Sequence, residues 1–592
     1  MKVKLSIVLI GLVTLLCPAT LLAEAKQQPE GGSKKATTVT SLTELRKQKK
    51  PPKVTNLKEL RKQRKQIADR ERRVIFNNDG SDVRRCQEPT EEAFLGEIIQ
   101  TGLYADTIFY NMVIGLGLCR YDTKVGGEPF LTNEKPFDTN LTKEFLEQGT
   151  DGLKMAVNYC KKNNIEIFVS IRMNDTHDGS PRYGHLLMPK WKKDHPELAL
   201  GVLGKKQKYG RHTAMDYEHQ EVRDMAFNIC QELCQNYDVD GIELDFLRHF
   251  FFFKPFAMGK DCGNKERDLM TGLVRRVRKM TEKVGLERGR PMLLAVRVPD
   301  SVELSEAAGL DITRWMEEGL IDILISSGYW RFNPWEESAK LGQKYDIPVY
   351  ACIPESRFID REARKLRNTM EAYRGRVMNV WNSGVDGVYL FNFFSRPHNL
   401  FSDWSAFRDP EALKTLDKVF TTGGRTYAVK DIKKRFSRPE RFINRQPFCS
   451  SRQPLVLAPN KSKTIKLQIG QEVEKDEAKG LVPNVTLRLK IKDLDKAEDV
   501  QVKLNGAQLT GGKKVEGPQN IKETAKYYSY DWLEFTVDPS ILKKGNNRFR
   551  LTLKPRSATQ PVITDLRLWV RYRKEGQETG EGGKSQEAKV KG

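Results

Sequence analysis

The sequence predicts an α/β fold, a (β/α)8 barrel, followed by an all-β sandwich. Three observations predict it. Between residues 73 and 425, eight short apolar, β-branched runs alternate with longer helical segments. Each run ends in polar residues, as the mouth of a barrel requires. Beyond residue 430 the helical periodicity stops, and alternating runs broken by Gly, Asn and Pro take over. The length of 592 residues is too great for one core and agrees with several domains.

The opening stretch, MKVKLSIVLIGLVTLLCPATLLAEA, has a basic start at Lys2 and Lys4, an apolar run from Ile7 to Leu16, and Ala23 and Ala25 in an A-x-A arrangement. Residues 1–25 are therefore expected to be a secretory signal peptide, which places the mature chain in a periplasmic or extracellular setting. Cys17 lacks the small residue that a lipid-anchor site needs just before it. No later stretch is long and apolar enough to span a bilayer.

Residues 26–72 read as a basic, low-complexity spacer with a short internal repeat, VTSLTELRKQK at 39–49 and VTNLKELRKQR at 54–64. Counted to residue 73, the stretch holds 16 Lys or Arg against five Asp or Glu, nearly half of the chain's net charge of +23. Ser41 and Asn56 are suitable N-caps, and Leu42 with Leu45, like Leu57 with Leu60, makes a thin i, i+3 apolar stripe. The expectation is two short basic helices in a solvated spacer, able to touch an anionic envelope surface or polysaccharide electrostatically. No base-reading motif accompanies the charge, so nucleic acid is not expected as a partner.

The eight runs are 74–79, 107–113, 165–175, 239–248, 293–300, 321–330, 347–356 and 385–394. They define a barrel domain over 73–425. Their C-terminal ends carry Asn77, Asn78 and Asp79; Arg172, Asn174, Asp175 and His177; Glu243, Asp245, Arg248 and His249; Arg297 and Asp300; Tyr329, Trp330 and Arg331; Glu355 and Arg357; and Asn392. In VDGIELDFLRHFFFF, strand alternation puts Gly241, Glu243 and Asp245 on the axis-facing side and Ile242 and Leu244 against the helices. Asp245 is then nearer the mouth, with Glu243 about 6 to 7 Å deeper. Buried carboxylates need cations to answer them, and Arg172 and Arg297 stand on the flanking strands. The bland alternative is a salt-bridge layer that fills the barrel. The four phenylalanines 250–253 read as a hydrophobic cap on the following loop.

Paired carboxylates at a cleft suit glycoside hydrolysis, one as acid and the other as base or nucleophile. Two acids on one strand point the same way, so the partner of Asp245 should come from another strand. Glu355 is the first choice and Asp300 the second, with Glu243 tuning Asp245 by like-charge proximity. Arg172, Asn174, His177, Arg297, Tyr329, Trp330 and Asn392 are the candidates for holding a carbohydrate substrate.

HPELALG at 195–201, MDYEHQEVRD at 215–224 and YDVDGIELDFLR at 237–248 resemble the glycosyl hydrolase-like family related to family 10, secreted bacterial TIM barrels; FNNDG at 76–80 and IRMNDTHD at 171–178 look like a subgroup of it. The resemblance covers about residues 73–425 and implies carbohydrate hydrolysis on a barrel. It implies no assured catalytic pair, although Asp245 is placed like the strand-four nucleophile of several retaining barrel glycosidases. Family 18 chitinases carry D-G-x-D-x-D-x-E on strand four. Here the last acid of that motif is Leu247, which speaks against substrate-assisted chemistry.

Residues 430–574 are expected to form the sandwich. VKLNGAQL and LKKGNNRFRLTL resemble accessory galactose-binding-like domains of glycosidases, and a packing or spacer role is expected of the sandwich ahead of sugar binding. Residues 575–592, rich in Gly, Glu, Gln and Lys, read as a disordered tail. Cys230, Cys234 and Cys352 look like buried thiols, and no metal-ligand spacing is present, so neither metal nor cofactor is expected. The sequence thus favours a cofactor-free glycoside hydrolase, against the alternative of a non-catalytic carbohydrate-binding or envelope-associated protein on the same barrel.

Overall fold

The computed structural model describes residues 52–205, 207, 209–328, 331–354, 361–393, 405–422, 449, 454–519, 521–523, 526–555 and 557–575, with positions 44 and 46. Eight parallel strands close into a barrel: β1 Val74–Asn78, β2 Thr107–Asn111, β3 Glu166–Arg172, β4 Gly241–Asp245, β5 Leu293–Val298, β6 Ile323–Ser326, β7 Val349–Pro354 and β8 Gly387–Phe391. They follow one another around the ring, and β1 closes it by pairing with both β8 and β2. All eight fall within the predicted runs.

The helices that pack around them include α1 Leu57–Ala68, α2 Gln220–Asn236, α3 Asn264–Arg288, α4 Trp335–Tyr345 and α5 Met370–Trp381. In α2 the buried Val222, Ala226, Ile229, Cys230 and Leu233 recur at three- and four-residue spacing, so one stripe faces the strands. Gly289 ends α3 in the left-handed region at φ 69°.

Inside the barrel, Phe109 and Phe168 stack at 4.4 Å. Gly241 makes room for them, since a Cβ there would lie 2.2 Å from the Phe168 ring. The base below is sealed by an ion pair. Arg72, wholly buried, reaches Glu166 through Nε at 2.6 Å and Nη2 at 2.8 Å, and its other bonds go to the carbonyls of Ile67, Ala68 and Arg70. Thr107 Oγ1 donates to the same carboxylate at 2.6 Å.

Helix α1 completes this seal and corrects the expectation of a solvated spacer. Asn56 caps it by accepting from the Glu59 N–H at 3.0 Å. Leu60 and Ala68 are buried, and Ile67 and Ala68 pack on the interior cluster of Ile75, Phe109 and Phe168. Arg61 and Arg64 both bond Glu282 on α3 at 2.8 Å. The charge of this segment hid a stripe that runs on from Leu60 to Ile67, one heptad further. Of the first repeat copy, only Glu44 and Arg46 lie within the described residues.

The sandwich is built from β9 Lys418–Thr421, β10 Ser462–Ile469, β11 Leu481–Lys492, β12 Val500–Leu504, β13 Lys513–Glu516, β14 Asp531–Val537, β15 Gly545–Leu553 and β16 Val562–Lys574. One sheet runs β9-β16-β11-β14-β13; the other runs β10-β15-β12 with the short strand Ala507–Gln508 at its edge. Leu487, Leu489, Leu566 and Phe535 from the first sheet and Leu467, Val502, Phe549 and Leu551 from the second are buried. β9 lies within the stretch assigned to the barrel, yet it pairs antiparallel with β16. The sandwich meets the barrel at α5 and α4. Asn379 Nδ2 donates to the Gln468 carbonyl at 3.2 Å, and Gln468 Nε2 donates to Glu336 at 2.7 Å.

The cysteines beyond Cys17 are all buried free thiols, and burial pushes Cys160, Cys234 and Cys352 up to about 12. They pack as small hydrophobes. No helix among the described residues is long and apolar enough to cross a membrane.

Candidate active site

The register of β3, β4 and β5 sets Arg172, Asp245 and Arg297 side by side at the top of the barrel, with Ser170, Glu243 and Ala295 one pleat below. Alternation had placed the acids on the axis, and their partners lie there. Arg297 grips Asp245 in bidentate fashion, Nε to Oδ1 at 3.0 Å and Nη2 to Oδ2 at 2.5 Å, and the Leu247 N–H adds a bond to Oδ1 at 2.9 Å. The guanidinium lies 3.9 Å from the centre of the Phe391 ring. Burial works against the charge on Arg297, but the facing Asp245 outweighs it and raises the guanidinium well above its usual range. Arg297 is fully enclosed, which makes it a support for Asp245 instead of the substrate ligand expected from sequence.

Glu243 is also fully enclosed. Ser170 Oγ donates to it at 2.5 Å and Tyr389 Oη at 2.7 Å. Burial first, and the neighbouring Asp245 charge second, push its carboxyl up to about 7, against the pull of Arg297. Glu243 thus lies one pleat below Asp245, closed off from solvent.

The rim is built on β1, β3 and the loop after β4. Asp79 Oδ1 accepts from Arg248 at 2.9 Å and also from Arg172. Arg248 donates onward to Asn392 Oδ1 at 2.9 Å. Arg172 holds Asp175 Oδ2 at 3.0 Å, while Asp175 Oδ1 accepts from the His177 backbone N–H at 2.8 Å and pairs with His177 Nδ1 at 2.5 Å. His249 Nδ1 accepts the Thr176 backbone N–H at 3.0 Å.

The shorter of these bonds assign both tautomers, the 3.0 Å bond from Thr176 outweighing the 3.4 Å approach of His249 Nδ1 to Asp175 Oδ1. His177 carries its proton on Nδ1, facing the carboxylate, and keeps a lone pair on Nε2. His249 accepts at Nδ1 and so carries its proton on Nε2. The two rings sit edge to face at 5.0 Å, with side chains 18% exposed. Burial pushes His249 down to about 4 against the pull of Asp175. For His177 the Asp175 charge pulls upward, but burial with the Arg248 and Arg172 charges outweighs it, and the net shift is downward. The rim therefore presents one neutral imidazole acceptor beside one neutral imidazole donor.

Asp175, His177 and His249 bring ligand atoms within 4.8 Å of one another, the spacing of a metal centre. Their partners do not suit one. The Thr176 N–H already uses the free lone pair of His249, Arg172 holds the second Asp175 oxygen, and the Arg248 charge acts on both imidazoles. The trio fits hydrogen bonding to a neutral polar ligand.

Two further expectations need correction. Asp300 turns out of the barrel into the loop before α4, accepting the Phe332 and Asn333 N–H groups at 2.8 Å each. Burial raises it to about 6, and it lines a separate cleft of about 530 Å³ with Ser326, Ser338 and Lys340. β5 ends at Val298, so alternation no longer aims the side chain at residue 300. Asn174 is equally occupied: its amide donates to the carbonyls of Met215 and Phe251, and its Oδ1 accepts the Met215 N–H. It pins two loops and is not a substrate ligand. Glu355, Tyr329 and Trp330 lie outside the described residues. Phe250, Phe252 and Phe253 are buried, and Phe250 and Phe252 pack edge to face, which anchors the loop carrying His249. Asp79, Asp175, Arg248 and His249 were visible as polar strand ends, but nothing in their spacing showed that they converge.

No family model matches this chain, and no curated protein does. Solved structures do resemble it. A cycloisomaltooligosaccharide glucanotransferase from Paenibacillus sp., complexed with cycloisomaltoheptaose, shares 8% identity over 83% of this chain at a TM-score of 0.30, and the chain spans 57% of its length. The PgaB (BpsB) glycoside hydrolase domain from Bordetella bronchiseptica shares 12% identity over 58% of this chain and 99% of its own, at 0.36. The alpha-L-fucosidase isoenzyme 2 from Paenibacillus thiaminolyticus shares 13% identity over 57% of this chain and 49% of its own, also at 0.36. Similarity at this level does not transfer an activity.

Proposed function

We propose that the barrel is a glycoside hydrolase that cleaves O-glycosidic bonds of a poly- or oligosaccharide with Asp245 and Glu355 as its two carboxylates. The observation that carries this is the Asp245–Arg297 ion pair on the floor of the mouth, beneath the donor and acceptor imidazoles of His249 and His177. A sugar diol both donates and accepts hydrogen bonds, and that rim matches it. Glu355 is the residue after Pro354, the last of β7.

In this mechanism Glu355 protonates the leaving oxygen, and Asp245 acts as nucleophile or as base toward water. Arg297 fixes the Asp245 carboxylate through both of its oxygens. Glu243 below, its carboxyl raised to about 7 by burial and by the Asp245 charge, takes up a proton more readily than an ordinary carboxylate and so eases the crowding of negative charge beneath Asp245. The motifs at 195–201, 215–224 and 237–248 make the glycosyl hydrolase-like family related to family 10 the proposed family, and the signal-like residues 1–25 make export the proposed route.

One observation favours a carbohydrate-binding barrel without catalysis: Asp79, Asp175 and Asp245 each stand against an arginine. The deciding experiment is release of reducing sugar from neutral, uronic and sulfated polysaccharides by the wild type, Asp245→Asn and Glu355→Gln. Cleavage lost in both folded variants supports the pair. Binding without cleavage by the wild type supports the binder. Activity that survives both changes overturns the assignment of the carboxylates.

A further inference from the structure

We infer that the outer face of the β10-β15-β12 sheet binds an anionic polysaccharide, a sugar chain carrying repeated sulfate or carboxylate groups, at a site separate from the barrel mouth. This does not depend on the barrel being a hydrolase.

The three strands hold Lys463, Lys466, Lys503, Arg548 and Arg550 and no Asp or Glu at all. Alternation buries Ile465, Leu467, Val502, Leu504, Phe549 and Leu551 and turns the polar positions outward. Register then sets like charges against each other: Lys466 is directly opposite Arg548, and Lys503 is directly opposite Arg550. Such pairs destabilise a sheet, so this arrangement does not serve folding. Arg548, Arg550 and Lys503 are exposed.

The other sheet of the same sandwich handles its charges differently. Arg488 stands directly opposite Glu534 and pairs with it at 2.9 Å, Lys514 pairs with Asp531 at 3.3 Å, and Arg567 pairs with Asp565 at 2.7 Å. Of the two sheets, it is the β10-β15-β12 face that gathers cations without carboxylates.

Strand rise separates Arg548 from Arg550 by about 7 Å, and neighbouring strands lie about 4.8 Å apart, so four cations occupy a field roughly 10 Å across. Thr464, Gln501, Gln508 and Thr552 lie around them and suit sugar hydroxyls. Apart from the β10 end, where Gln468 reaches Glu336 of the barrel, the face is an open sheet surface with Lys503, Arg548 and Arg550 exposed, which fits an extended chain. Its outward positions carry no aromatic residue, so it lacks the stacking platform with which single-stranded nucleic acids are held. Recognition must come from charge, and the ligand class follows from that.

The test uses the full chain in low salt against three immobilised polymers: dextran sulfate, polygalacturonate and neutral dextran. Wild type is compared with Arg548→Gln/Arg550→Gln and with a control of equal charge change on the other sheet, Lys513→Gln/Lys574→Gln. The expected result is binding to one or both anionic polymers and none to dextran, a tenfold or greater loss in the first variant, and wild-type binding in the control. Raising the salt to about 0.5 M should abolish the binding, because exposed charges are screened. The polymer retained separates sulfate from carboxylate as the preferred group. The thermal midpoint of the first variant should not fall, since the change relieves repulsion. Equal binding by wild type and the first variant, an equal loss in the control, or tighter retention on single-stranded DNA or anionic vesicles with the same dependence on Arg548 and Arg550 would overturn the inference.

Discussion

Both ends of the barrel are held by an arginine on a carboxylate, and they use it to different ends. At the base, Arg72 and Glu166 answer each other, the remaining arginine bonds go to backbone carbonyls, and α1 lies over them. At the mouth, Arg297 fixes Asp245, but the rim holds the His177 and His249 rings by their Nδ1 atoms, with both side chains 18% exposed. A buried ion pair with its surroundings satisfied is scaffold. The same pair beneath polar atoms of defined tautomer is the foundation of a site.

The largest contrast should come from Asp245→Asn. Reducing-sugar release is expected to fall by about 10² to 10⁴, the range for loss of a group acting in proton transfer or displacement. Next, Arg72→Met breaks the base pair and leaves Glu166 buried without its partner, at a cost of about 3 to 5 kcal/mol in urea unfolding. The folded fraction of that variant should bind carbohydrate as the wild type does; weakened binding would mean that the two ends are coupled. Leu60→Ala, which removes the anchor of α1, should cost about 2 to 4 kcal/mol and leave sugar release unchanged. His177→Gln should weaken carbohydrate binding by roughly fivefold, through one lost hydrogen bond of about 1 kcal/mol, with little change in stability.

Acid separates the ends more finely. His249 is held down to about 4 in the folded chain against an ordinary 6.5, so the unfolded chain takes up that proton first. The contribution of His249 is therefore present above pH 6.5 and lost as the pH falls toward 4, while Glu243, raised to about 7 against 4.5, acts with the opposite sign between about 7 and 4.5. Glu166 is held down to about 2 against 4.5 by Arg70, Arg72 and Thr107, which overcome its burial, so the base contribution is lost only between about 4.5 and 2. Unfolding free energy measured against pH should lose the upper phase in His249→Gln and the lower phase in Glu166→Gln. A single phase unaffected by either change would refute the separation.

Much of this architecture was legible in the residues. β-Branched runs ending in polar clusters marked all eight strands, and a period of two put Glu243 and Asp245 on the axis. Which cation answered which acid was not legible. Arg172 and Arg297 flank Asp245 symmetrically in register, and the choice fell to Arg297 because Asp79 and Asp175, from loops whose course alternation does not specify, took Arg172. Asp300 and Asn174 were misjudged for the same reason: both stand just past the end of a strand, where side-chain direction is set by the loop. α1 and its Asn56 cap were legible, but its packing on the barrel was not, because dense charge outweighs a stripe of few apolar residues.

That helix has a consequence for how the molecule is held. The chain enters the barrel from its closed end, through α1 and Arg72, before β1 begins. A change in α1 therefore bears on the floor of the barrel, at the end opposite Asp245 and the rim.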